Sequence, residues 1–191
     1  MSTWQRIPLF PLRTVLFPQG LLPLRIFETR YLDMIRRVMR EDSGFGVALI
    51  LDGAEIGKIG EVAHVGTFAK VADFGQLPDG LLKIVARGER RFRIKGRDMQ
   101  SDGLHLADVQ WLNDPPEPLH AGEYADLAAT LRGALAELGD EYPVGPMRND
   151  DALWLAGHLG QLLPVPAETR QKILEVDGAR ERLKRIEKLR L

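Results

Sequence analysis

Prolines at positions 8, 11, 18 and 23 cut an otherwise apolar opening, IPLFPLRTVLFPQGLLPLRIFETRYLDMI, residues 7–35. A proline has a fixed φ and no amide hydrogen. It breaks a helix interior, and it enters a sheet only at an edge, a strand start or a bulge. The opening therefore reads as no membrane helix, which needs about 20 apolar residues in a row. It reads as no signal peptide either, because the prolines together with Arg13 and Arg25 interrupt every apolar run. What remains is a set of short strands, IPLF, TVLF and LPLRI, at the margins of a sheet.

The chain as a whole is 45% apolar and 28% charged, enough to bury a sizeable core. Its net charge of −1 argues against a phosphate backbone as main partner, since such a partner calls for a concentrated basic face. With no cysteine, disulfides, thiolate catalysis and cysteine-ligated metals are excluded. This fits a reducing compartment, and a cytoplasmic location is the expectation.

The character of the chain changes near residue 113, where NDPPEP (113–118) favours an extended connection. We expect one subdomain over 1–113 and another over 114–191. In the first, Phe27, Tyr31, Met34, Ile35, Val38 and Met39 share one face at helical spacing. Strand-like runs follow at 45–51, 61–74 and 104–112, and Gly66 marks a bend or bulge. A Pro-Asp-Gly turn at 78–80 predicts a hairpin. These runs add up to six or more strands and one helix in a closed or half-closed antiparallel sheet.

The second subdomain reads as helices. Leu127, Leu131, Leu135 and Leu138 recur every three or four residues; Asn149 or Asp150 is placed to cap the next helix, and Asp177 the last.

Chemistry is sparse. GAEIGKIG (53–60) resembles a phosphate loop, but its first gap is one residue short and Ile59 stands where the metal-binding hydroxyl belongs. It reads as a surface loop. The histidines at 64, 105, 120 and 158 lack metal-ligand spacing, and His64 and His105 read as ordinary strand residues. No serine lies in a nucleophile-elbow pattern. The segment ARGERRFRIKGR (86–97) is the one basic cluster. It could track RNA phosphates with Phe92 stacking on bases. Alternation favours a solvated face instead, with Phe92 and Ile94 inward and Arg91, Arg93 and Lys95 outward. No catalytic, metal-binding or cofactor-binding residues are expected.

The opening also resembles the start of the Lon protease N-terminal domain. Leu9-Phe10-Pro11-Leu12-Arg13 fills a first block, Phe17-Pro18 a second, Pro23-Leu24 a third, and Glu28, Arg30 and Tyr31 an E-x-R-Y block. VGTFAKV (65–71), LPDGLLKIVARGERRFRI (77–94) and the tail from residue 162 to 186 continue the match. The resemblance implies an α+β fold: a PUA-like antiparallel β-barrel with one amphipathic helix, followed by a C-terminal helical bundle.

It also implies a protein-binding module for exposed apolar segments of proteins or unfolded polypeptides. Nucleic acid and membrane are not expected as partners, and a weak homo-oligomer remains compatible with the reading. Full-length Lon carries an ATPase module and a Ser-Lys protease domain after this one. A chain ending at Leu191 is expected to have neither activity. Where relatives have Ser-Pro at a helix start this chain has Pro166-Ala167, so that helix loses its hydroxyl cap.

The motif residues proposed for protein binding are Phe10, Arg13, Phe17, Pro18, Phe27, Glu28, Arg30, Tyr31 and Arg91. Leu9, Phe10, Phe17 and Phe27 are expected to be largely core, as large apolar residues usually are. A Glu28–Arg91 ion pair is a further expectation.

Overall fold

The structure is a computed structural model that describes residues 4–52 and 60–189. The phosphate-loop resemblance at 53–60 falls almost wholly outside the described residues.

The fold is α+β. Six strands come first, interrupted by one helix: β1 (Gln5–Leu12), β2 (Leu21–Ile26), α1 (Thr29–Arg40), β3 (Phe45–Leu49), β4 (Val65–Gln76), β5 (Leu82–Met99) and β6 (His105–Trp111). Four helices follow: α2 (Ala125–Leu138), α3 (Ala152–Leu162), α4 (Ala167–Leu174) and α5 (Ala179–Glu187). The sheet order is β2-β5-β4-β3-β1-β6, and β5 also pairs with β6. Five strands thus close a ring, while β2 hangs on its outside by β5 alone.

The clean antiparallel barrel expected from sequence is corrected on two points. β1 and β3 run parallel, Leu9 opposite Gly46 and Leu12 opposite Leu49. That is possible because α1 lies between β2 and β3, giving the chain room to cross over. The run TVLF forms no strand, and Thr14–Phe17 is irregular backbone held by side chains. The Phe17 amide donates to Gln161 Oε1 at 3.0 Å, and the Leu16 carbonyl accepts from Thr67 Oγ1 at 2.5 Å.

Every ring strand sends side chains to one inner cluster: Ile7 and Leu9, Ala48, Phe68, Phe92 and Ile94, Val109. Phe92 fills the centre, which explains the glycines facing it. A Cβ on Gly66 would come within 2.6 Å of the Phe92 ring and 2.4 Å of the Val47 carbonyl oxygen. The ladder bulges one step beyond, between Thr67 and Ala69.

Outside the ring, α1 covers one face through Tyr31, Met34, Ile35 and Val38, packed on Phe10, Phe45 and Ile84. Two ends of its expected stripe do not follow. Phe27 lies before the helix and is 54% exposed, and Met39 is also exposed. The expectation that Phe27 is core is therefore corrected: the chain turns after Ile26, and Phe27 is carried off the helix face. The C-terminal helices cover another outer face. There Phe17, Leu49 and Val65 share a core with Leu131, Leu155 and Leu183, so apolar packing runs across residue 113 without a break.

The caps differ from expectation by one position. Asp151, not Asn149 or Asp150, caps α3 by accepting from the amides of Leu153 and Trp154. At α5 the cap residue is Gly178, and Glu117 reaches over from the linker to accept from the Ala179 amide at 2.6 Å. α4 starts after Pro166 with no side-chain cap, as the sequence led us to expect.

Candidate functional site

Arg91 sits on β5 with its side chain on the outer face, as alternation requires, yet it is 0% exposed. The expectation of a solvated Arg91 fails because α4 and α5 lie over that stretch of strand. All five guanidinium donors are used. Nε and Nη2 form a fork on Asp114 at 2.8 and 2.9 Å, Nη1 donates to the carbonyls of Leu174 and Val176, and Nη2 also reaches Asp177 at 3.0 Å.

Arg182, equally buried, donates to the same Asp114 carboxylate at 2.9 Å. Burial opposes the charge on Arg91, but hydrogen bonding and attraction from Asp114, then Asp177, outweigh it and hold its pKa above the usual value. Burial likewise opposes the Asp114 charge, and its two arginines more than offset this, holding its pKa low. With its donors committed, Arg91 has none for Glu28. The expected Glu28–Arg91 pair is replaced by Glu28–Arg30, at 2.7 Å.

Most of the other motif residues are packed into the fold. Phe10 stacks on Tyr31, ring centres 3.9 Å apart. Phe17 and Pro18 are buried against α3, where Gly160 and Gly157 leave room for them: a Cβ on Gly160 would strike the Phe17 ring at 2.5 Å. Arg30 spans from Glu28 to the Gly103 carbonyl, 2.9 Å away, and lies over the Tyr31 ring. Of the nine proposed residues, Arg13 and Phe27 are the exposed ones. The family pattern at these positions therefore marks mostly the frame of the fold.

The exposed apolar surface gathers elsewhere, around the far end of the β4–β5 hairpin. An apolar groove of about 560 Å³ opens between β2 and the hairpin turn, framed by Pro23, Leu24, Leu77 and Pro78, with Arg25, Asp79 and Lys83 at its rim. Gly80, at φ +83°, makes that turn. Phe74, near the end of β4 on the same hairpin, is 62% exposed. On the α1 side a second hollow of about 200 Å³ lies between Met39 and Phe74. Sequence reading missed these residues because Leu77, Pro78 and Phe74 read as turn and strand, and exposure depends on what packs above them.

The β2 edge offers few free amides to strand addition. The Leu21 amide points away from β5 and donates to the Tyr142 hydroxyl at 3.0 Å. Antiparallel alternation then turns positions 23 and 25 outward too, and position 23 is a proline with no amide to offer. Tyr142 passes the contact on to buried His158, its hydroxyl 2.9 Å from Nδ1. Burial lowers the His158 pKa to about 4.

The basic segment 86–97 does not form a free hairpin. It is the middle of β5, and Arg90 lies 3.6 Å over the Trp111 ring, while Arg93 and Lys95 face solvent. Among the described residues there is no cluster of three or more His, Cys, Asp or Glu that could hold a metal, and no helix long and apolar enough to cross a membrane.

A mixed sheet closed around Phe92, overlain by one helix in front and four behind, with an apolar groove at one end, defines a small α+β binding domain. The family of the ATP-dependent protease La (Lon) substrate-binding domain matches residues 6–189, and the chain belongs to it. The crystal structure of a Lon N-terminal domain protein from Xanthomonas campestris superimposes with a TM-score of 0.74 at 35% identity, covering 95% of this chain and 96% of that one. The N-terminal domain of Mycobacterium avium complex Lon protease shares the fold, with a TM-score of 0.64 at 20% identity over 95% of this chain and 96% of that one. The Lon protease of Cytophaga hutchinsonii is 26% identical over 92% of this chain, and that of Treponema pallidum 26% identical over 95%. This chain spans 23% and 21% of those two proteins, so it corresponds to about a quarter of such a protease.

Proposed function

We propose that this chain is a protein-binding module that takes exposed apolar segments of other proteins into the groove beside the β4–β5 turn, and that it has no ATPase or peptidase activity of its own. The observation that carries this reading is the groove itself. Its volume lies within the range of about 300–1,000 Å³ common for ligand pockets. Its walls are proline and leucine, and two further aromatic rings are exposed, Phe27 one residue past β2 and Phe74 near the end of β4. Because β2 offers so few outward amides, side-chain burial rather than strand addition would supply the binding energy. On this reading 1–113 and 114–191 are two subdomains, a PUA-like barrel and a helical bundle that supports it, and the protein works in the cytoplasm.

The test is fluorescence anisotropy of a labelled, permanently unfolded polypeptide at low and high salt, with a structured RNA for comparison. Binding should tolerate salt and should be absent for the RNA. Leu77→Ser and Phe74→Ser should each weaken it by about tenfold, as expected for losing part of a buried side chain worth about 1.5–3 kcal/mol. Binding that falls steeply with salt, equals that of RNA and ignores both substitutions would refute the groove.

A further inference from the structure

His105 opens β6 and faces inward, one alternation beyond Ala107, opposite Leu9 on one side and Met99 on the other. It is 6% exposed, and neither ring nitrogen has a hydrogen-bond partner among the described residues. Two arginines flank it. Arg97 lies opposite Ala107 on β5; its Nη2 donates to the Gly60 carbonyl at 2.6 Å, while its buried Nη1 has no partner. Arg30, from the start of α1, donates through Nη1 to the Gly103 carbonyl two residues before His105, and its buried Nε also has no partner. The repulsion of both arginines reaches the imidazole, adding to burial in holding its pKa low.

Buried polar groups in native proteins are nearly always satisfied, and a local cluster of exceptions calls for an occupant. Here the vacant groups are chiefly donors. The carboxylates nearest along the chain and ladder are engaged elsewhere: Asp102 accepts from the Leu104 amide at 2.9 Å, Asp98 and Asp108 pair with Arg6, and Glu28 pairs with Arg30 at 2.7 Å. A positive cluster with unpaired buried donors suits an oxyanion. Guanidinium groups bind carboxylate and phosphate oxygens through their fixed donor fork.

We propose that Arg30, Arg97 and His105 form a binding site for a small oxyanion, a phosphate or a carboxylate group, at the end of the strand ring. The ligand accepts from Arg30 Nε and Arg97 Nη1 and from one protonated nitrogen of His105. The exposed Met99 opposite His105 marks the side from which the site meets solvent. The site is separate from the apolar groove and does not depend on the function proposed for it.

The experiment is NMR of the intact chain with isotopically labelled histidine, titrated with inorganic phosphate and, separately, with acetate, against chloride at equal ionic strength. The His105 ring signals should move on addition of at least one of the two anions and stay put with chloride. Its pKa should rise by about one unit or more, as a nearby opposite charge requires. Response to phosphate alone or to acetate alone identifies the source. Arg97→Gln should abolish the response, and Arg97→Lys should retain part of it; the dispersion of the other histidine signals checks that both variants fold. A His105 signal unmoved by either anion, or moved equally in Arg97→Gln, overturns the proposal and leaves ordered water as the partner of these groups.

Discussion

At the scale of single residues, burial decides which charges and rings matter. His158 sits in the helical core with its Nδ1 against Tyr142, and its pKa is lowered to about 4. An unfolded histidine titrates near 6.5. Between these values the unfolded chain binds the proton and the folded chain does not, so stability is complete above about pH 6.5 and falls as pH drops toward about 4. The loss from this group is of order 3 kcal/mol. His158→Asn, which keeps an acceptor near Nδ1, should flatten that part of the curve of melting temperature against pH; an unchanged slope would count against the assignment. Asp114 acts on a lower range. Its depressed pKa gives stability present above the ordinary carboxylate value and lost as pH falls below it. Arg91 shows where residue-level reading stops: strand alternation correctly sends it outward, but nothing within β5 says that α4 and α5 will cover it.

At the scale of elements, period and punctuation made most of the fold legible. The Pro-Asp-Gly turn, the glycine facing Phe92 and the apolar stripe of α1 are each dictated by local chemistry. Caps were legible to within one residue, because several neighbouring acids can serve and the tertiary contact selects one. Asp151→Ala should cost about 1 kcal/mol, read from urea unfolding. TVLF was misread as strand because its composition suits one; Gln161 and Thr67 bind its backbone from elsewhere. The parallel β1–β3 pair was illegible for a related reason, since pairing partners lie tens of residues apart and both orientations satisfy the same apolar pattern. The proline of β2 carries a prediction of its own. Pro23→Val restores an outward amide to an exposed edge and should promote self-association, detectable by light scattering, with little change in melting temperature.

At the scale of the whole molecule, one charged knot ties strand to helices. Arg91, Asp114, Asp177 and Arg182 come from β5, the linker, the turn after α4, and α5. Arg91, Asp114 and Arg182 are buried while Asp177 lies at the surface, and removing Arg91 leaves the buried Asp114 with one partner fewer, so Arg91→Leu should cost about 3–5 kcal/mol. A cost below 1 kcal/mol in denaturant unfolding would mean that solvent reaches the knot. Because apolar packing also crosses residue 113, the sheet and the C-terminal helices should melt in one transition by near-UV and far-UV circular dichroism alike. Most blocks of the opening motif fall on buried frame residues, but Pro23-Leu24 and the Leu77-Pro78 turn of the later block frame the groove, and only the assembled sheet reveals that they line one hollow.

The closing of the ring has a consequence in time. β1 leaves the ribosome before β6, yet one of its edges waits for β6, and the charge on Arg91 waits for Asp114 and Asp177. The β1–β3, β1–β6 and β2–β5 pairings join distant segments, and sheets that depend on such contacts fold in milliseconds to seconds rather than microseconds. Until residue 177 has emerged, the nascent chain carries an unfinished sheet and an uncovered arginine. A domain that, on our reading, grips exposed apolar segments must itself pass through a stage of being one.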